Sequence, residues 1–204
     1  MSDEEFDPVP AVGDGADVFD QPALFFLTHQ ATIEQWAKLS TAAAEAGHQW
    51  LSTTVRAALA DLAAQRGLEL SAVAGPGQWQ HLLLHPAETP TVGDEPVIGV
   101  GLCWHRQRLD PQNYLPFIGV RVGSNPQGAA AGTAFLDGGG LQLRNEFHWR
   151  GKGEPTWPAY FHLDPFERWW QDLDAYRAVI VDQVGLGLDR MEGPVRNALT
   201  TLGF

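Results

Sequence analysis

Between Pro96 and Val122 the chain alternates on a two-residue period that no helix satisfies. Ile98, Val100, Leu102 and Trp104 fall on one side, and Gly99, Gly101, Cys103 and His105 on the other. The same pattern returns after a turn-rich stretch, Leu109–Asn113, with Ile118, Val120 and Val122 set against Phe117, Gly119 and Arg121. Two such runs joined by a turn predict an antiparallel hairpin. Glycines on its second face predict close approach by another backbone or a helix. Leu68–Val73 and Trp79–His85, separated by the turn signal Gly75-Pro76-Gly77, predict two further strands. Leu141–Trp149 and Thr156–His162 alternate as well and are expected as the last two.

Helical periodicity flanks this region. Ile33, Trp36, Ala37, Ser40, Ala43, Gly47, Trp50, Leu51, Thr54, Ala58 and Leu62 follow a three-and-four spacing that predicts one long amphipathic helix, with a bend expected at Gly47. Arg66-Gly67 is a C-terminal signal, a cation in the last turn followed by the residue that best tolerates the left-handed region. Asn125–Gly140 is rich in Gly and Ala and reads as a short helix within a loop. Asp164-Pro165-Phe166-Glu167 has the form of a capping box opening a C-terminal helix. That helix is expected to break at Gly185 and Gly187, with a short tail helix from Pro194 to Leu202. The order implies an α+β fold: a long N-terminal helix, an antiparallel β-meander, and a C-terminal amphipathic helix packed on the sheet.

Charge divides the chain unevenly. Its 204 residues carry 25 acids and 13 bases, a net charge of -12. Asp3, Glu4, Glu5, Asp7, Asp14, Asp17 and Asp20 supply seven of those acids with no base among them. Residues 1–21 are therefore expected to be an acidic, disordered leader, and 22–204 a single α+β domain. The overall sign opposes bulk attraction to nucleic acid or anionic lipid. Residues 1–20 lack the basic start and apolar run of a signal peptide, so a cytoplasmic location without membrane association is expected. Cys103 is the one cysteine, which excludes an intrachain disulfide and a thiolate cluster around zinc.

Motifs for chemistry are sparse. His81 and His85, four apart, share a face, and Cys103 and His105 on the next strand complete a candidate zinc set. The Glu that accompanies a catalytic zinc pair is missing, since Leu82 follows His81. Cys103, between Leu102 and Trp104, is expected to be buried and inert. None of the serines sits in a nucleophile elbow, and the glycine runs lack the residues of a nucleotide loop. Trp36, Trp50, Trp104, Trp169 and Trp170 fall on apolar stripes and are expected in the core. Trp149 and Trp157 flank the basic Arg150-Gly151-Lys152-Gly153 segment, which makes Trp149, Arg150, Lys152 and Trp157 the candidate binding surface.

Phe26-Leu27-Thr28-His29 with Ile33–Ala37, and Val100–Trp104 with Phe117–Arg121, resemble segments of uncharacterised bacterial domains of unknown function, over about half the chain. The order of helices before a β-meander also resembles the restriction-endonuclease-like family. That resemblance implies a strand Asp and a (D/E)-x-K motif holding Mg²⁺ at a scissile phosphate. Trp36 stands two residues before Lys38, and Arg150 two before Lys152, so neither lysine completes the motif. Asp94, Glu95 and Glu146 are the carboxylates left for a variant Mg²⁺ site. The sequence thus favours a non-catalytic bacterial interaction or adaptor protein with a protein partner and no cofactor. A variant nuclease or DNA-associated protein of a mobile-element or defence system is the alternative.

Overall fold

The computed structural model describes residues 20–106, 116–146, 155–163 and 171–204. The fold is α+β. Helix α1 (Gln21–Trp50) passes through one π-helical turn, Leu51–Val55, into α2 (Arg56–Arg66). The strands β1 (Leu68–Ala74), β2 (Trp79–Pro86), β5 (Ile98–His105), β6 (Phe117–Val122) and β7 (Ala159–His162) form one sheet in that order. Every neighbour pair is antiparallel, as a meander requires. A separate two-stranded hairpin, β3 (Thr91–Val92) and β4 (Glu95–Pro96), interrupts the connection from β2 to β5. Helices α3 (Pro126–Phe135) and α4 (Leu141–Glu146) follow β6, and α5 (Leu173–Thr201) closes the chain. The chain divides into two compact units, Met1–Ala43 and Ala44–Phe204.

In the second unit, one face of the sheet builds the core. Leu82, Leu84, Ile98, Val100, Leu102, Trp104, Ile118, Val120 and Val122, the apolar side of the predicted alternation, pack with α2 and α5. Leu51, Val55, Leu59 and Ala63 come from the first helical run, and Ile180, Val184, Leu188, Met191, Val195 and Leu199 from α5. Trp50 stacks on Tyr176 with ring centroids 6.0 Å apart. Gly67 ends α2 in the left-handed region at φ 64°, as its sequence signal predicts.

The buried stripe on the first helical run differs from the predicted one. Gly47, Leu51, Val55, Leu59 and Ala63 are buried, whereas Thr54, Ala58 and Leu62 are only half-buried. A strict four-residue step drifts around an ordinary helix, which repeats every 3.6 residues. The π-helical turn at Leu51–Val55 takes up an extra residue and holds these side chains toward the sheet. Gly47 lies inside α1, whose one residue with non-helical backbone angles is His29 (φ -112°, ψ 15°).

Three other expectations are corrected. Leu141–Glu146 is a helix, not the beginning of a strand, because β7 already pairs with β6 and two alternating leucines cannot fix a period. The breaks expected at Gly185 and Gly187 are absent, and the tail helix from Pro194 is part of α5. An interior proline costs about 3 kcal/mol and each glycine roughly 1 kcal/mol. Burial of Met191, Val195, Ala198 and Leu199 on either side of Pro194 offsets that cost. The N-cap of α5 is Asp172, which accepts the Ala175 N–H at 2.9 Å; the capping box at Asp164–Glu167 lies outside the described residues. So does the turn at Leu109–Asn113.

Gly187 allows α5 to approach the sheet, since a Cβ there would stand 3.1 Å from Ile118 Cγ2 and 3.7 Å from the Phe161 ring. Among the described residues, no heavy atom outside the helix lies within 4 Å of the equivalent position at Gly185. The two glycines should therefore respond oppositely. Gly185→Ala is expected to raise unfolding free energy by about 0.5–1 kcal/mol, and Gly187→Leu to lower it by about 1–3 kcal/mol through overpacking. Urea titration of the two variants checks both signs.

Candidate functional site

Strand alternation places the remaining polar and aromatic residues on the second face of the sheet. Register sets them in rows across the strands: Val73, His81, Cys103, Phe117 and His162; then Ser71, Leu83, Gly101, Gly119 and Tyr160; then Glu69, His85, Gly99 and Arg121. The glycines answer the close approach expected of them. A Cβ at Gly101 would stand 2.7 Å from Leu83 Cδ2, and one at Gly119 2.5 Å from Tyr160 Cβ. Neighbouring side chains thus lean across the glycine row, and Leu83, Cys103, Phe117 and Trp157 form a second buried cluster.

Aromatic rings crowd one end of this face. Phe117 meets Tyr160 at 4.7 Å, Trp157 at 4.8 Å, Trp79 at 5.8 Å and His162 at 6.1 Å between centroids. Trp157 is only 4% exposed and also touches the His81 ring at 5.5 Å, so it is a packing residue and not a presented binding surface. Trp149, Arg150 and Lys152 lie outside the described residues, as do Trp169 and Trp170. Trp104 is buried as expected, and its indole N–H donates to His48 Nδ1 at 3.2 Å.

The candidate metal ligands separate into different partnerships. His81 Nδ1 lies 3.2 Å from Cys103 Sγ, and both side chains are buried. His85 Nδ1 lies 3.0 Å from the Pro86 carbonyl oxygen, and its Nε2 lies 2.9 Å from Ser71 Oγ. A carbonyl only accepts, so His85 Nδ1 carries the proton, and in the neutral ring the Ser71 hydroxyl donates to Nε2. His105 packs edge-on against Trp79 at 5.2 Å. Among the described residues no three His, Cys, Asp or Glu side chains are grouped to hold a metal. Burial, then the Arg121 guanidinium, pushes the His81 pKa down to about 3. The His81 ring beside Cys103 is therefore a weak base.

Of the candidate carboxylates, Asp94 and Glu95 stand in different surroundings. Asp94 is exposed in the turn between β3 and β4. Glu95 is bound to the Arg121 guanidinium, and its other oxygen lies 3.5 Å from the Ser124 N–H. Glu146 is the last residue of α4. Arg121 is 3% exposed, so Glu95 is the counter-ion of a buried cation and ties the β3–β4 hairpin to the sheet. Sequence spacing gave no hint of this pair or of Ser71–His85, because each is made by strand register or by a hairpin across 26 and 14 residues.

In the first unit, no residue of Gln21–Ala43 is buried. Phe25 is 63%, Phe26 45%, Leu27 51%, Trp36 66% and Leu39 60% exposed. Trp36, expected in a core, is instead displayed to solvent. Beyond the break at His29, positions 33, 36, 40 and 43 lie on one side of the helix at three-and-four spacing. Glu34, Lys38 and Thr41 lie on the other, where Gln30 Nε2 donates to Glu34 Oε1 at 2.8 Å. Before the break, Phe25 packs on the His29 ring at 4.4 Å. No helix among the described residues is long and apolar enough to cross a membrane.

No family model, no curated protein and no solved structure matches this chain.

Two measurements check the sheet face. Glu95→Ala strands a buried guanidinium and is expected to cost about 3 kcal/mol in urea titration. His81 stays neutral in the folded state down to about pH 3, whereas an unfolded histidine takes a proton below about pH 6.5. Its contribution is therefore fully present above that pH and is lost as pH falls from about 6.5 towards 3, by up to about 1.4 kcal/mol per unit. In His81→Asn, stability measured across the same window should decline less steeply than in the wild type.

Proposed function

We propose that the protein is a non-catalytic interaction module that binds a protein partner through helix Gln21–Ala43. The observation that carries this reading is the display of Phe25, Phe26, Trp36 and Leu39 on a helix with no buried residue. Helices of this length gain most of their stability by burying an apolar face. An exposed apolar surface of this kind marks an interaction site. Aromatic residues are also the commonest anchors of protein interfaces. The acidic residues Asp3–Asp20 immediately precede the helix and would add attraction to a partner bearing cations beside its apolar groove.

A variant nuclease has less support. Its Mg²⁺ would need at least two converging carboxylates, and Glu95 is already committed to Arg121.

The test is recovery of tagged chain from its native host, comparing wild type with a Trp36→Asp/Leu39→Asp double variant. Wild type is expected to bring down a protein partner that the variant loses by at least tenfold. Far-ultraviolet circular dichroism should show the same helix content in both, because both positions are exposed. Equal recovery by both, or nucleic acid in place of protein, would overturn the reading.

A further inference from the structure

We propose that the partner of helix Gln21–Ala43 is the same helix of a second copy, paired antiparallel, so that the protein is a homodimer; this rests on the reading of that helix as the contact element. Area is the first argument. The exposed fractions of Phe25, Phe26, Trp36 and Leu39, scaled by the roughly 150–250 Å² a large apolar side chain buries, amount to on the order of 500 Å² per copy. Two copies together reach about 1,000 Å², the size at which a specific interface becomes stable. A lone helix seated on a flat surface would cover only part of this stripe, whereas a matching helix covers it along its length.

Charge supplies the second argument and sets the direction. Between Gln21 and Ala43 the formal charges are Glu34 and Lys38, which cancel. The helix is thus a neutral apolar segment of a chain whose net charge is -12, and like charge does not oppose its pairing with itself. The seven acids of Asp3–Asp20 do oppose a parallel arrangement, which would set both groups side by side. Antiparallel pairing places them at opposite ends of a helix roughly 35 Å long. That separation is several times the screening length of about 8 Å at physiological salt. Ser40 and Ala43 on the apolar side are small enough to let two backbones approach.

Sedimentation equilibrium on the full chain over a range of concentrations tests the inference. A mass of about twice 22.3 kDa is expected, falling to the monomer in Trp36→Asp/Leu39→Asp while far-ultraviolet circular dichroism is unchanged. Direction is read from single cysteines placed in a Cys103→Ala background. Gln21→Cys mixed with Ala43→Cys should cross-link on mild oxidation at least tenfold faster than either variant alone. A wild-type monomer at every concentration, a dimer that survives both aspartates, or faster cross-linking of each variant with itself overturns the proposal. The two levels separate cleanly. A monomer that still captures a different protein in a Trp36-dependent way refutes self-pairing alone, and a monomer with no Trp36-dependent partner refutes the contact-helix reading as well.

Discussion

The sheet face that meets α5 is the constraint on which the second unit depends. Three adjacent strands, β2, β5 and β6, each commit alternate side chains to that face, and nearly all of those side chains are fully buried. Their burial fixes the register, because a slip of one residue would turn leucines out and glycines in. Register then dictates what meets on the opposite face. His81 faces Cys103 because Leu82 must face Leu102. Arg121 reaches Glu95 because Val120 and Val122 are held in the core, which points the residue between them outward. The polar partnerships of the second face are consequences of apolar packing on the first.

This dependence explains the character of the second face. It carries histidines, a thiol, a serine and a buried cation, a composition that on paper suggests a reactive centre. His85 is held between Ser71 and the Pro86 carbonyl, Glu95 is held by Arg121, and His81 is kept neutral by burial. In the first unit, Phe25, Phe26, Trp36 and Leu39 are exposed.

The alternation in Ile98–His105 and Phe117–Val122 was legible in the sequence because period two is a property of the chain itself, and both faces match it residue by residue. The left-handed glycine ending α2 was legible for the same local reason. Leu141–Glu146 was not, since a few alternating residues fit either period until the sheet fills its positions. The continuity of α5 through Gly185, Gly187 and Pro194 was hidden as well. Local propensity argues against it, and only burial along the flanking turns reverses the balance. Among the site residues, face membership of His81, Cys103 and His105 followed from alternation. Their division into separate partnerships did not.

Trp36 shows the limit most directly. Its spacing with Ile33 and Ala43 defines an apolar stripe, and the sequence by itself determined that this stripe exists on a helix. The sequence also determined the strand alternation, the acid-rich residues that precede the helix and the α+β order. Only the tertiary structure decided which part of the stripe is buried: Gly47, Leu51, Val55, Leu59 and Ala63 are, and no residue of Gln21–Ala43 is. The physical reason is that periodicity records which side chains avoid water, whereas burial depends on what surface the rest of the fold brings to meet them.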